Sequence, residues 1–204
     1  MIQVQLMGSY GGDIEHALSA WTSTSRDLTD EKRERIPAML KQLAMNGHET
    51  PFEKSALHFL VECDVATHIH IIKHRIAVSV NGESARYREL VERDYTPEDW
   101  PLHWMKALKD HTMKGQRLYH EALQSLVEQH GMTRKRAKES ARYFLGYNNV
   151  TAMDVMFNFR SFIHFQRLRN DEHAQAEVRT VARRMLVLTR ELGTFEYSLR
   201  AFNY

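Results

Sequence analysis

The chain has 204 residues, 43% of them hydrophobic and 26% charged, a composition that suits one globular domain over residues 1–204 with a sizeable core. A net charge of +2 excludes a protein that coats long stretches of nucleic acid, and a single cysteine, Cys63, excludes an internal disulfide framework. No apolar run reaches the roughly 18 residues of a membrane span, and the first residues lack the charged head and apolar run of a secretory signal, so the expected compartment is the cytoplasm.

In chain order, Ile2 to Leu6 alternates apolar and polar residues, which predicts a short strand broken by Gly8, Gly11 and Gly12. Ile36, Met39, Leu40 and Leu43 share one face of a helix over 31–46, with Gly47 where a C-terminal cap falls and Pro51 in a turn. Alternation from Ala56 to Glu62 predicts a second strand, partly buried on both faces. Val65, Ile69, Ile72 and Ile76 recur at helical spacing over 65–76, and Asn81-Gly82 marks a turn or loop within 78–86. A long helix is expected over 102–129, another from an N-cap at Thr133 to about Phe144, a third over 151–169, and a last one capped by Asp171 and ending near Gly193. The expected architecture is α+β: mostly helical with a small early β-sheet.

The segment Lys73 to Tyr87 holds most of the chemistry. Lys73, His74 and Arg75 gather positive charge at a helix end, and Asn81, Ser84 and Arg86 follow in a polar loop. Such a set suits an anionic, planar ligand, because Arg grips phosphate through two donors and hydroxyl and amide groups give directional bonds. A solvated helix end, where the dipole favours cations, explains the same residues without a ligand. His68, His70 and His74 suggest a metal site, with His70 and His74 spaced i, i+4, but position 71 is Ile, where a zinc protease helix carries Glu, so no metal is expected. No Gly-x-Ser-x-Gly elbow surrounds Ser84, and no Gly-x-Gly-x-x-Gly fingerprint is present. The run Arg134-Lys135-Arg136-Ala137-Lys138 reads as a solvated helix face, with a non-enzymatic nucleic-acid-binding module as the alternative. Met156, Phe157, Phe162 and Phe165 are expected in the core or in subunit contacts of the late helix, and Trp100 and Trp104 in packing.

Four motifs in order carry a resemblance. His48-Glu49-Thr50-Pro51-Phe52-Glu53 comes first. Then His74-Arg75, eight residues, and Ser84-Ala85-Arg86-Tyr87. Asn158-Phe159-Arg160-Ser161-Phe162 follows, and Leu168-Arg169 with His173-Ala174-Gln175 closes the set. Together they resemble the flavin-dependent thymidylate synthases. The resemblance implies a homotetramer with sites where subunits meet, FAD as cofactor, NADPH and methylenetetrahydrofolate as co-substrates, and a uridine monophosphate methylated at C5 without a cysteine nucleophile. A nucleic-acid polymer or membrane is not an expected partner.

Carried over by motif, Arg169 is implied as the catalytic group that ionises uracil at N3. Thr50, Glu53, His74, Arg75, Asn158, Arg160 and His164 are implied to hold the flavin. His70, Lys73, Ser84, Ala85, Arg86, Arg142 and Arg169 are implied to hold the nucleotide. At about 100° per residue, Asn158 and Arg169 fall on nearly one helix face and Arg160 and His164 on another, so one helix serving two pockets is expected. The chain departs from the family pattern at Lys73 (Arg in relatives), His70 (Gln), His164 (Asn) and Gly82 (Glu, with Glu83 one place later). A glycine at 82 removes bulk and charge, which makes UMP a candidate substrate beside dUMP.

Overall fold

The structure is a computed structural model that describes residues 2–25, 27–84, 86–87, 89 and 93–204. Four strands, β1 (Gln3–Tyr10), β2 (Ala56–Asp64), β3 (Val78–Gly82) and β4 (Val150–Asn158), form one sheet in the order β1-β2-β4-β3. The helices are α1 (Asp13–Trp21), α2 (Asp30–Met45), α3 (Val65–Ile72), α4 (Leu102–Glu128), α5 (Arg134–Ala141), α6 (Phe159–Arg169), α7 (Ala176–Glu191) and α8 (Glu196–Ala201). Two 3-10 turns, Thr50–Glu53 and Arg142–Phe144, complete the described elements. The chain is mostly helical with a small sheet, as expected, but β4 places part of that sheet late in the sequence.

Packing divides the chain into two compact units. One comprises Met1–Gln3, Glu62–Ile71 and Asn81–Met153; the other comprises Val4–Val61, Ile72–Val80 and Asp154–Tyr204. In the first, Tyr119 and Leu123 of α4 bury against Ala137 and Ala141 of α5. Thr133 caps α5 by accepting from the Arg136 amide, and Asp64 caps α3 by accepting from the Thr67 amide and hydroxyl at 2.9 and 2.7 Å. Gly115 of α4 lets the second 3-10 turn approach, since a Cβ there would lie 2.5 Å from the Phe144 carbonyl oxygen.

The second unit is built on aromatic rings. Phe52, Phe159 and Phe195 surround the ring of His16 with centroids 5.2, 5.2 and 6.0 Å away, and Phe59, Phe157, Phe162 and Phe165 are fully buried. His16 itself is fully buried between two serines: Nδ1 lies 2.8 Å from Ser198 Oγ and Nε2 lies 2.7 Å from Ser55 Oγ. The Ser198 hydroxyl donates to Asp13 Oδ1 at 2.5 Å, so it accepts from His16 Nδ1–H, and Nε2 accepts from Ser55. Asp13 also accepts from the Ser198 and Tyr197 amides at 2.7 and 2.9 Å. Burial pulls the His16 imidazole down to about 4, so the ring is neutral.

Several expectations are corrected. Residues 151–157 form β4 rather than the start of a helix: Met153, Val155 and Phe157 are buried while Asp154 and Met156 are not, a period of two. Helix α6 begins after Asn158, whose side chain accepts from the Ser161 amide at 2.8 Å. The helix expected to Ile76 ends at Ile72, and Ala77 takes a left-handed φ of 51° before β3, which replaces the expected loop. Asp171 accepts from the His173 amide in a turn, and α7 starts later, after Gln175. Strand β1 runs on through Gly8 to Tyr10. The glycine-rich start hides α1, and a further helix, α8, follows Gly193. Trp100 and Trp104 lie on the surface, 43% and 58% exposed, rather than in packing.

Two outcomes follow. Gly115→Ala gains about 1 kcal/mol of helix propensity, but the clash with a backbone oxygen costs about 1–3 kcal/mol, so the urea midpoint falls; an unchanged or higher midpoint would refute the close approach. For His16, the unfolded ring takes up a proton below its ordinary pKa of 6.5 while the folded ring resists until about 4. Stability is therefore full above pH 6.5 and declines as pH falls toward 4, by on the order of 3 kcal/mol at completion. In His16→Gln, urea midpoints at pH 7.5 and 5 should differ less than in the wild type; equal differences would remove His16 as the cause.

Candidate active site

Within the second unit, a cavity of about 510 Å³ is walled by Glu49 and Glu53 of the HETPFE segment, by Lys73–Val78 after α3, and by Asn158, Arg160, Ser161, His164, Arg167, Leu168 and Arg169. The turn after α3 is tied to α6: Ser161 Oγ donates to the Ile76 carbonyl at 2.7 Å, and the Asn158 amide donates to the Ala77 carbonyl at 3.3 Å. Five cations, Lys73, Arg75, Arg160, Arg167 and Arg169, face two carboxylates across this cavity. Arg160 donates to Glu49 at 2.9 Å and to Glu53 at 2.5 Å, and Arg167 lies 3.6 Å from Glu49. Glu53 and then Glu49 hold the Arg160 guanidinium in its charged form.

Arg169 is oriented by an imidazole. Its Nε donates to His74 Nε2 at 2.9 Å. Arginine has no acceptor, so His74 Nε2 carries no proton and the ring proton sits on Nδ1. His74 stands edge-on to Phe165 at 5.0 Å and 6.1 Å from His164. Burial, with Arg169 and His164 adding, pulls it down to about 4, which agrees with its role as an acceptor.

The cavity thus brings together Glu53, Lys73, His74, Arg75, Asn158, Arg160, His164 and Arg169 from the sequence reading. Thr50 belongs to the same unit but is exposed and does not line it. Although helical spacing places them on two faces, Asn158, Arg160, His164 and Arg169 all line one cavity of this protomer. Asn158 is a cap rather than a helical residue, Arg160 and His164 share a stripe with Arg167 and Leu168, and Arg169 closes the last turn.

The remaining nucleotide candidates, His70, Ser84, Arg86 and Arg142, belong to the first unit. Ala85 lies outside the described residues. Arg86 donates to Glu139 at 2.6 Å, and its amide donates to Ser84 Oγ at 3.3 Å. Arg142 is exposed at the second 3-10 turn and lines a second cavity of about 510 Å³ with His68, Glu83, Tyr143, Tyr147 and Asn149 among its walls. The sequence reading had weighed His68 only as a metal ligand, and it missed Glu49 and Arg167. Glu49 stands in the first motif beside Thr50, and Arg167 shares the stripe of Arg160, so both signals were present.

The basic run of α5 is engaged locally. Arg134 pairs with Glu89, Arg136 lies 3.8 Å from Glu139, and Lys138 donates to the Tyr87 carbonyl at 3.3 Å. Cys63 is buried in β2, and burial beside Asp64 pushes its thiol up to about 12, so it is no nucleophile at neutral pH. Among the described residues, no group of three His, Cys, Asp or Glu side chains gathers as a metal site would, and no helix is long and apolar enough to cross a membrane.

Residues 7–192 match the family described as thymidylate synthase complementing protein. A flavin-dependent thymidylate synthase of Pseudothermotoga lettingae is 32% identical over 88% of this chain and 80% of its own. One of Thermotoga neapolitana is 29% identical over 95% and 88%. Among solved structures, the UMP/dUMP methylase PolB from Streptomyces cacaoi bound with 5-Br dUMP superposes with a TM-score of 0.79 at 25% identity, covering 99% of this chain and 94% of that one. The same methylase bound with 5-Br UMP gives 0.74 at 23% identity. With its four motifs in order and its fold shared over nearly the whole length, this chain belongs to the flavin-dependent thymidylate synthase family and is an enzyme of that methylating type.

Proposed function

We propose that the enzyme methylates C5 of a uridine monophosphate, dUMP in the first instance, with FAD as its cofactor and NADPH and methylenetetrahydrofolate as co-substrates. The observation that carries this reading is the basic cavity in which a neutral His74 holds Arg169. The donor set fits FAD. Arg75, Arg160 and Arg167 match a diphosphate, Asn158 and His164 supply hydrogen bonds to a ring system, and Lys73 is left for the nucleotide. FAD, when bound, supplies the hydride that turns the transferred carbon into a methyl group.

The chain's own residues activate the nucleotide. With Nε committed to His74, Arg169 keeps its two terminal NH2 groups to meet a uracil ring. A fixed positive charge there stabilises the N3-deprotonated ring and raises electron density at C5. Cys63 plays no part, since a buried thiol near 12 stays protonated. Arg86 and Arg142 hold the nucleotide, with Ser84 as the hydroxyl neighbour and His70 beside it, and Thr50 and Glu53 support the flavin side. We assign residues 1–204 to a single domain that assembles as a cytoplasmic homotetramer, each site drawing on several protomers. Exposed apolar side chains such as Ile76 (88%) and Tyr143 (83%) suit subunit contacts. A second reading, UMP as the preferred nucleotide, rests on the missing side chain at Gly82.

The test is to supply FAD, NADPH and methylenetetrahydrofolate with dUMP and UMP in parallel, and to weigh the nucleotide product. A gain of one methylene unit on either nucleotide supports the reading, and NADPH oxidation with both nucleotides unaltered contradicts it. In Arg169→Lys, the charge survives without the fork, so kcat should fall about 10²–10³-fold while the protein stays yellow. A loss under tenfold would take the ring-activating role away from Arg169.

A further inference from the structure

The first unit gives position 82 a neighbour that the sequence does not reveal. A Cβ built on Gly82 would lie 3.3 Å from Cε1 of His68 and 3.8 Å from its Nε2. The imidazole therefore stands directly over the glycine, against the space a side chain there would take. The carboxylate one place later does not fill that space freely. Glu83 is laced to β4, its amide donating to the Ala152 carbonyl at 2.8 Å and its Oε2 accepting from the Ala152 amide at 3.3 Å. His68 lines the cavity that also holds Arg142, with Tyr143, Tyr147 and Asn149.

We propose that His68, seated over Gly82, is a specificity-determining residue that hydrogen-bonds the ribose 2′-hydroxyl and so lets this enzyme take UMP beside dUMP. The inference rests on the proposed nucleotide methylation and on Arg142 as a nucleotide contact. A neutral imidazole offers one donor and one acceptor, so it meets a hydroxyl in either sense. Burial lowers the basicity of His68, which keeps the ring in that neutral form near pH 7. His68 is only half-buried, so water meets the ring when the hydroxyl is absent, and the bond favours UMP by about the worth of one neutral hydrogen bond without rejecting dUMP. The bare glycine has a defined part: any side chain at 82 would force the ring aside by a few tenths of an ångström or more.

The experiment compares kcat/KM for UMP and dUMP in the wild-type enzyme and in His68→Ala, His68→Gln and Gly82→Ala, with far-UV circular dichroism to show that each variant folds. His68→Ala should lower kcat/KM for UMP about tenfold, the worth of one neutral hydrogen bond, and change dUMP by less than about twofold. His68→Gln, which keeps a donor and an acceptor, should recover part of the UMP activity. Gly82→Ala should shift the ratio in the same direction as His68→Ala. Parallel losses for both nucleotides, or an unmoved ratio in folded variants, would overturn the inference and leave the methylation intact. Wild-type protein that binds neither nucleotide would overturn the underlying reading, and this inference with it.

Discussion

The hydrogen-bonded line Asp13–Ser198–His16–Ser55 holds the second unit together. It joins α1, α8 and Ser55, two residues past the HETPFE segment, and every member is buried. Such a network is all or none: each group fully partnered, it fixes one arrangement; one partner lost, the desolvated remainder costs about 1–3 kcal/mol. Phe52 of the 3-10 turn and Phe159 of α6 both pack on the His16 ring. The turn that carries Glu53 and the helix that carries Arg160 therefore rest on the same buried imidazole.

From that base the electrostatics of the cavity follow. Five cations crowd one concavity, and two carboxylates hold the most contested of them in place. Glu49 reaches both Arg160 and Arg167, so it sets their spacing as well as lowering their mutual repulsion. These exposed pairs add little to stability. Their consequence is geometric, because an arginine fixed by a carboxylate presents the rest of its fork in a known direction. Arg169 is held by a neutral acceptor instead, which fixes its direction without offsetting its charge.

Much of this was legible in the residues, for reasons that differ by element. Helix α2 declared itself because its apolar stripe agrees with the glycine past its end, Gly47, which takes a left-handed φ of 69°. Strand β4 was misread because Met153, Met156 and Phe157 also satisfy the helical spacing i, i+3, i+4, and the cap at Asn158 was overlooked. Helices α1 and α8 are short, and their stability comes from Asp13 and Ser198 meeting across 185 residues, a contact no local pattern encodes. Five residues of the motifs, His74, Arg75, Asn158, Arg160 and Arg169, do converge on one cavity. Their distribution was not legible: spacing along α6 suggested two faces, whereas long arginine side chains and a capping asparagine reach a single cavity. The link between His68 and Gly82 joins a helix and a strand, so it exists only in three dimensions.

The state of Cys63 carries a practical consequence. It is the chain's sole cysteine, fully enclosed in β2, with its thiol held protonated to about pH 12. Alkylation needs a thiolate in contact with reagent, which the native sheet denies and an opened sheet restores. The rate at which an alkylating reagent marks this one sulfur therefore measures how often β2 comes apart, giving the enzyme an internal gauge of its own breathing without any added label.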